Sequence, residues 1–148
     1  MSKDKYAPIR LKNQLCFPLY ACSKEIVRRY KPYLDELNLT YTQYIAMMVL
    51  WEKGAVNVTE LGRELYLDSG TLTPLLKKLE QKGYVTRERM ENDERAVRVS
   101  ITEAGEALKD QALTIPTKIS ECIDLTPEEG QMLYQVLYKI LKQEDILE

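Results

Sequence analysis

The chain has 148 residues, 45% of them hydrophobic and 30% charged, with a formal net charge of −2 and no histidine. That length and apolar share suit a chain that buries its own core and exclude a disordered segment, and no run nears the roughly 18 apolar residues of a membrane span. Without histidine there is no imidazole acid–base catalysis, and Cys16, Cys22 and Cys122 form no Cys-x-x-Cys pair, so neither a metal centre nor a thioredoxin-type site is expected.

In chain order, the first element is a helical stripe from about Ile9 to Tyr30, with Leu11, Leu15, Leu19, Cys22, Ile26 and Tyr30 at three- and four-residue spacings. Cys22 lies on that stripe and reads as a packing residue. Pro32 marks the end of this helix or a sharp bend, and a short helical piece follows around Tyr33 to Leu37. The apolar run Tyr44 to Trp51 predicts a helix at the centre of the domain.

Asn57 with Glu60 reads as a capping box opening a short helix with Val58, Leu61 and Leu65 on its apolar face. The turn Tyr66-Leu67-Asp68 leads to a second helix, capped by Asp68 or Ser69, which carries Leu72, Leu75, Leu76 and Leu79 inward. Ser69, Thr71, Thr73, Lys77 and Lys78 are left to face out. Pro74 is expected to loosen its first turn without ending it, and Gly83 to stop it. Alternation in Val85 to Arg89 and in Val97 to Ile101 predicts two strands around the tip Glu91-Asn92-Asp93-Glu94-Arg95. Two helices joined by a tight turn and followed by a charged hairpin are a winged helix-turn-helix, built to place its second helix in the DNA major groove.

Thr102 caps a helix containing Leu108, Ile115, Ile119 and Ile123, with a bend at Pro116. Thr126-Pro127-Glu128-Glu129 is a capping box that opens a last helix carrying Met132, Leu133, Val136, Leu137, Ile140 and Leu141. The expectation is one mainly α domain over 1–148, with a winged core at about 41–101 and dimerisation helices at about 9–38 and 102–147. These terminal helices hold more apolar surface than the core can cover, so a homodimer on a pseudo-palindromic operator is expected. Charge is segregated accordingly. Residues 1–68 carry 10 basic against 8 acidic side chains, residues 69–98 carry 7 against 5, and residues 99–148 carry 4 against 10. A modestly positive reading head with an acidic rear suits specific docking on double-stranded DNA. In that reading Ser69, Thr71, Thr73 and Lys77 address the major groove, while Lys78, Lys82 and wing arginines such as Arg87 meet phosphates and the minor groove. The N-terminus lacks the apolar stretch of a signal peptide, so a cytoplasmic location is expected.

The order of long helix, helix-turn-helix, wing with Asp-x-Arg and two C-terminal helices resembles the MarR family of dimeric winged-helix regulators. NQLCFPLYACSKE (13–25), YKPYLDEL (30–37), LTYTQY (39–44) and LYLDSGTLTPLLKKLE (65–80) are similar to its organic-hydroperoxide-sensing branch and the staphylococcal-type redox regulators. The resemblance implies that Cys16 is the peroxide-reactive thiol, that Tyr30 and Tyr41 of the partner subunit hydrogen-bond it, and that oxidation releases DNA. It also implies that Asp93 braces Arg95 for minor-groove insertion, and it places Cys122 where two-cysteine members carry a resolving thiol, with a packing role equally open. Within the chain, Lys12 is one helical turn before Cys16 and Tyr20 one turn after, so a cation and a phenol are expected to favour its thiolate. No cofactor is implied. Two other readings are a repressor released by a small phenolic ligand and a thiol peroxidase; the second lacks the expected histidine and Cys-x-x-Cys.

Overall fold

The computed structural model describes residues 4–142, and for Asp93, Glu94 and Arg95 the backbone alone. After two 3-10 turns at Ala7–Ile9 and Leu11–Asn13, the elements are α1 (Cys16–Glu36), α2 (Tyr41–Lys53), β1 (Ala55–Asn57), α3 (Val58–Leu65), α4 (Ser69–Gln81), β2 (Val85–Met90), β3 (Asp93–Ile101), α5 (Glu103–Ala112), α6 (Ile115–Glu121) and α7 (Pro127–Leu141). The chain divides into two compact units, residues 1–115 and 116–148.

In the first unit the predicted periodicity becomes burial. Leu72, Leu75, Leu76 and Leu79 of α4 are all buried, with Leu61 of α3 and Tyr44, Ala46, Met47 and Leu50 of α2. Asp68 is the cap of α4, accepting the Thr71 N–H at 2.7 Å. Pro74 is accommodated inside the helix. Three helices end the same way, with one left-handed residue and a hydrogen bond reaching five residues back. Leu39 N–H donates to Leu34 O past Asn38 (φ 54°), Leu67 N–H to Gly62 O past Tyr66 (φ 54°), and Tyr84 N–H to Leu79 O past Gly83 (φ 80°). Gly83 and Asn38 carry residue types that announce this ending, and Tyr66 does not.

The sheet is antiparallel with β3 between β1 and β2. Val99 faces Val56 on one side and Arg87 on the other, and a bulge at Arg89/Met90 brings Met90 opposite Asp93. The hairpin turn is therefore Glu91-Asn92, shorter than the five-residue tip expected. Strand β1 was not expected at all. Asn57 is its last residue and makes no side-chain cap to α3, so the predicted capping box does not form. Glu60, its intended partner, instead takes Lys53 Nζ at 2.8 Å, with Glu64 on the same ammonium at 2.7 Å.

Two further expectations change. The first helix does not begin near Ile9. Gln14 is extended (ψ 121°), the helix proper starts at Cys16, and Leu11 and Leu15 are exposed. Pro32 neither ends nor splits α1. It stands on an exposed face, while the Lys31–Asp35 ion pair at 2.9 Å and buried Leu34 hold the turn around it.

Thr102 caps α5 by accepting the Gly105 N–H at 3.1 Å. Trp51 Nε1 donates to Gly105 O at 2.9 Å, joining α5 to α2. The break after α5 falls at Leu113-Thr114, and Pro116 sits in the first turn of α6, where its missing N–H costs nothing. Ile123 lies beyond that helix.

In the second unit, Thr126 and Glu129 form the expected reciprocal capping box, with Pro127 at the first helical position. Helix α7 buries none of its residues in the single chain, and Met132, Leu133, Tyr134, Val136, Tyr138 and Ile140 are exposed.

Candidate nucleic-acid interface and thiol site

Helix α4 presents Ser69, Thr71, Thr73, Lys77 and Lys78 to solvent, as its periodicity requires. Hydrogen bonds from the Thr71 N–H and hydroxyl hold the Asp68 carboxyl below its ordinary pKa, so the cap is anionic wherever DNA would be bound. Thr73 donates its hydroxyl to Ser69 O at 2.8 Å, which leaves its oxygen as the group turned to a partner. Between α4 and the wing runs a groove of about 560 Å³ lined by Ser69, Thr73, Lys77, Arg87, Arg89 and, from α3, Thr59. Thr59 belongs to this surface by tertiary placement and no sequence pattern points to it.

Two expected DNA contacts are occupied within the chain. Lys82 is half-buried, and its ammonium donates to Asn38 O at 2.6 Å and Gln43 Oε1 at 2.9 Å; burial, with Lys78 nearby, lowers its pKa. Arg87 donates Nη2 to Glu80 Oε1 at 3.0 Å, while its backbone N–H reaches Glu80 Oε2 at 3.1 Å. Glu80 is correspondingly held below the ordinary carboxylate pKa, chiefly by that side-chain hydrogen bond. Arg89, two residues along the same strand, is exposed. The side chains of Asp93 and Arg95 lie outside the described residues.

Cys16 is the first residue of α1 and is exposed. Lys12 belongs to a separate 3-10 turn, so it does not stand one helical turn from the thiol as a continuous helix would place it. Tyr20 does, and Lys24 lies over its ring at 5.1 Å. Cys22 is exposed rather than packed, which corrects its expected core role in the single chain.

Tyr30 and Tyr41 are brought together by the turn between α1 and α2, with ring centroids 5.0 Å apart in an edge-to-face arrangement. Tyr44 joins them at 5.8 and 6.3 Å and continues to Trp51 at 6.2 Å. Burial raises the pKa of all three phenols, Tyr44 to about 12, where Tyr30 and Tyr41 add to the effect. These are therefore neutral hydrogen-bond donors at any physiological pH. Tyr44 was read from sequence only as core.

Cys16 and Tyr30 share α1 but are fourteen residues apart, about 21 Å along a helix rising 1.5 Å per residue. A thiol at one end of this helix cannot reach its own chain's Tyr30. Cys122 is exposed, follows α6, and belongs to the second unit, where its N–H donates to Ile119 O at 3.0 Å. Among the described residues no cluster of His, Cys, Asp or Glu is arranged to hold a metal ion, and no helix is long and apolar enough to cross a membrane.

Comparison with known proteins agrees with this architecture. The chain is 48% identical over 140 residues to the organic hydroperoxide resistance transcriptional regulator of Bacillus subtilis, covering 95% of each chain. It is 42% identical over 139 residues to the HTH-type transcriptional regulator SarZ of Staphylococcus haemolyticus, covering 94% of this chain and 92% of SarZ. Among solved structures it resembles AbfR of Staphylococcus epidermidis, a protein captured reduced on DNA and also in a disulfide form. The DNA-bound structure gives a TM-score of 0.77 at 35% identity over 94% of this chain and 96% of that one. The family model for the transcriptional regulator SarA/Rot matches residues 28–112. With its three-stranded wing, its recognition helix and relatives aligned over nearly its whole length, the chain belongs to the SarA/Rot family of MarR-like winged-helix transcriptional regulators.

Proposed function

We propose that this regulator is a cytoplasmic homodimer that binds a pseudo-palindromic operator when reduced and releases it when an organic hydroperoxide oxidises Cys16. The observation that carries the reading is the separation along α1. An exposed sulfur stands at its first residue and a half-buried pair of neutral phenols, Tyr30 and Tyr41, about 21 Å further on, so a second chain is needed to bring thiol and phenols together. Apolar surface left open on α7 and around Leu15 supports association of two copies. The Bacillus relative's name and, among the AbfR structures, the reduced form on DNA and the disulfide form support the reading.

The chemistry is balanced by the peroxide itself. The Cys16 thiolate attacks one peroxide oxygen, the O–O bond breaks, and the alkoxide takes a proton to leave as an alcohol, giving a sulfenic acid. Condensation with the Cys122 thiol then forms a disulfide and releases water. DNA is held through Ser69, Thr71, Thr73 and Lys77 toward the bases, with Lys78, Arg89 and the Asp93–Arg95 pair toward the backbone and minor groove. Cys16→Ser is expected to bind the operator and ignore cumene hydroperoxide. A Cys16→Ser protein that still dissociates overturns the assignment.

A second reading has an observation of its own. A groove of about 270 Å³ between α1 and α2, lined by Val27, Leu34, Leu39 and Tyr41 with the charged Arg28, Lys31 and Asp35, has room for a small phenol. Release by such a ligand would be indifferent to dithiothreitol, whereas oxidative release is reversed by it.

A further inference from the structure

Two side chains just beyond the recognition helix reach back across more than thirty residues of sequence to the same short corner. Lys82 donates to Asn38 O at 2.6 Å and to Gln43 Oε1 at 2.9 Å, and Tyr84 Oη donates to Leu37 O at 3.2 Å. This corner joins α1 to α2. In it Asn38 is left-handed, with Leu37 and Leu39 buried on either side. Gln43 is the one buried polar side chain among the described residues, at 3% exposure. Its Oε1 also accepts the Thr40 N–H at 3.1 Å, closing the capping box of α2. One amide oxygen thus serves the start of α2 and the end of α4 together.

The corner is flanked by the tyrosine pair. Tyr30 lies on the last turns of α1 before it, and Tyr41 is the first residue of α2 after it. The segment that joins the two rings carries the Leu37 and Asn38 carbonyls, and those carbonyls are what Lys82 and Tyr84 hold. Two of the three ammonium protons of Lys82 are already committed there, and a half-buried lysine so placed has little to offer a phosphate.

We propose that Lys82 and Tyr84 are positioning residues that transmit a change at the Tyr30–Tyr41 pair to the recognition helix by gripping the α1–α2 corner. The inference rests on the redox reading given above. It assigns to Lys82 a role inside the protein in place of the phosphate contact that its sequence position suggests.

The test compares wild type, Lys82→Met and Tyr84→Phe for operator affinity, reduced and after cumene hydroperoxide, over a series of salt concentrations. Positioning predicts that Lys82→Met loses about tenfold in reduced-state affinity, with the slope of log affinity against log salt unchanged, because no phosphate partner was removed. It also predicts that the ratio of reduced to oxidised affinity shrinks toward one while Cys16 is oxidised at the wild-type rate. A slope shallower by about one with the ratio intact identifies a phosphate contact and overturns the proposal. Tyr84→Phe removes one hydrogen bond and no charge, so it reports even if Lys82→Met does not fold. A smaller ratio supports the coupling, and a wild-type ratio overturns it. Wild-type protein that keeps its operator after Cys16 is oxidised defeats the redox reading instead, and the reduced-state affinity and salt slope of Lys82→Met then decide its positioning role alone.

Discussion

Glu80 on the recognition helix holds Arg87 on the wing at both ends of one carboxylate, Oε1 taking the guanidinium at 3.0 Å and Oε2 the backbone N–H at 3.1 Å. The pair ties the wing to the recognition helix through two contacts on one side chain. Glu80→Ala is expected to weaken operator binding by about threefold to fivefold, as suits a partly exposed ion pair, and to speed amide exchange at Arg87. Wild-type affinity and exchange in the mutant would show the brace to be idle. The pH sign follows from the lowered carboxyl pKa. Its contribution is present above the ordinary carboxylate range and disappears as pH falls through the depressed value.

A second prediction concerns Gly105. A Cβ there would strike Tyr84 O and crowd Ile101 Cγ1 at 2.9 Å and Met47 Cε at 3.1 Å. The backbone oxygen cannot swing aside as a side chain can. Gly105→Ala is expected to destabilise the protein by ~3 kcal/mol in urea unfolding, the range of overpacking with backbone displacement. A loss below ~1 kcal/mol would mean that α5 shifts freely on α2.

How much of this was legible depends on how local each cause is. Leu72, Leu75, Leu76 and Leu79, the Asp68 and Thr102 caps and the Thr126–Glu129 box are patterns within a few residues, and all are present as read. Asn57 misled because the same residue also ends a strand of three residues, too short to alternate, and because Glu60 had a cation within reach on α2. Pro32 misled because the turn around it is held by the Lys31–Asp35 ion pair and buried Leu34, which no residue-type rule anticipates. Lys82 and Arg87 look like DNA contacts from their charge and position, and only tertiary structure reveals the carbonyls and carboxylate that claim them. The pairing of Tyr30 with Tyr41 came from family resemblance. Its reach to Tyr44 and Trp51 needed the helices to be packed.

The tyrosine cluster makes an alkaline prediction. Tyr44, pushed up to about 12 by burial and then by Tyr30 and Tyr41, keeps a proton that the unfolded chain gives up near its ordinary 10.0. The stabilisation is therefore complete below that value and is lost as pH rises toward about 12. Unfolding free energies across this window should fall steeply for wild type and more gently for Tyr44→Phe. Parallel curves would remove Tyr44 from the account.

The proposed disulfide step can be tested apart from the proposed sensing step. Mass spectrometry of hydroperoxide-treated wild type is expected to yield a peptide joining Cys16 to Cys122. Cys122→Ser should still lose DNA but accumulate sulfenic and then sulfinic acid at Cys16, with slower recovery in thiol. Full and rapid recovery in that variant would show that Cys122 takes no part.

Strand β1 ends at Asn57 and α3 begins at Val58, so the sheet passes into the helix-turn-helix across a single peptide bond. Wing and helices are thereby joined in one head through the sheet. In the proposed dimer an oxidation signal displaces two intact heads instead of deforming them, and what they lose is the interval between them, matched to one turn of duplex of roughly 34–36 Å. An oxidised dimer would still know each half-site and would misjudge only the distance to the next, so an operator lengthened or shortened by a base pair is the DNA it should prefer.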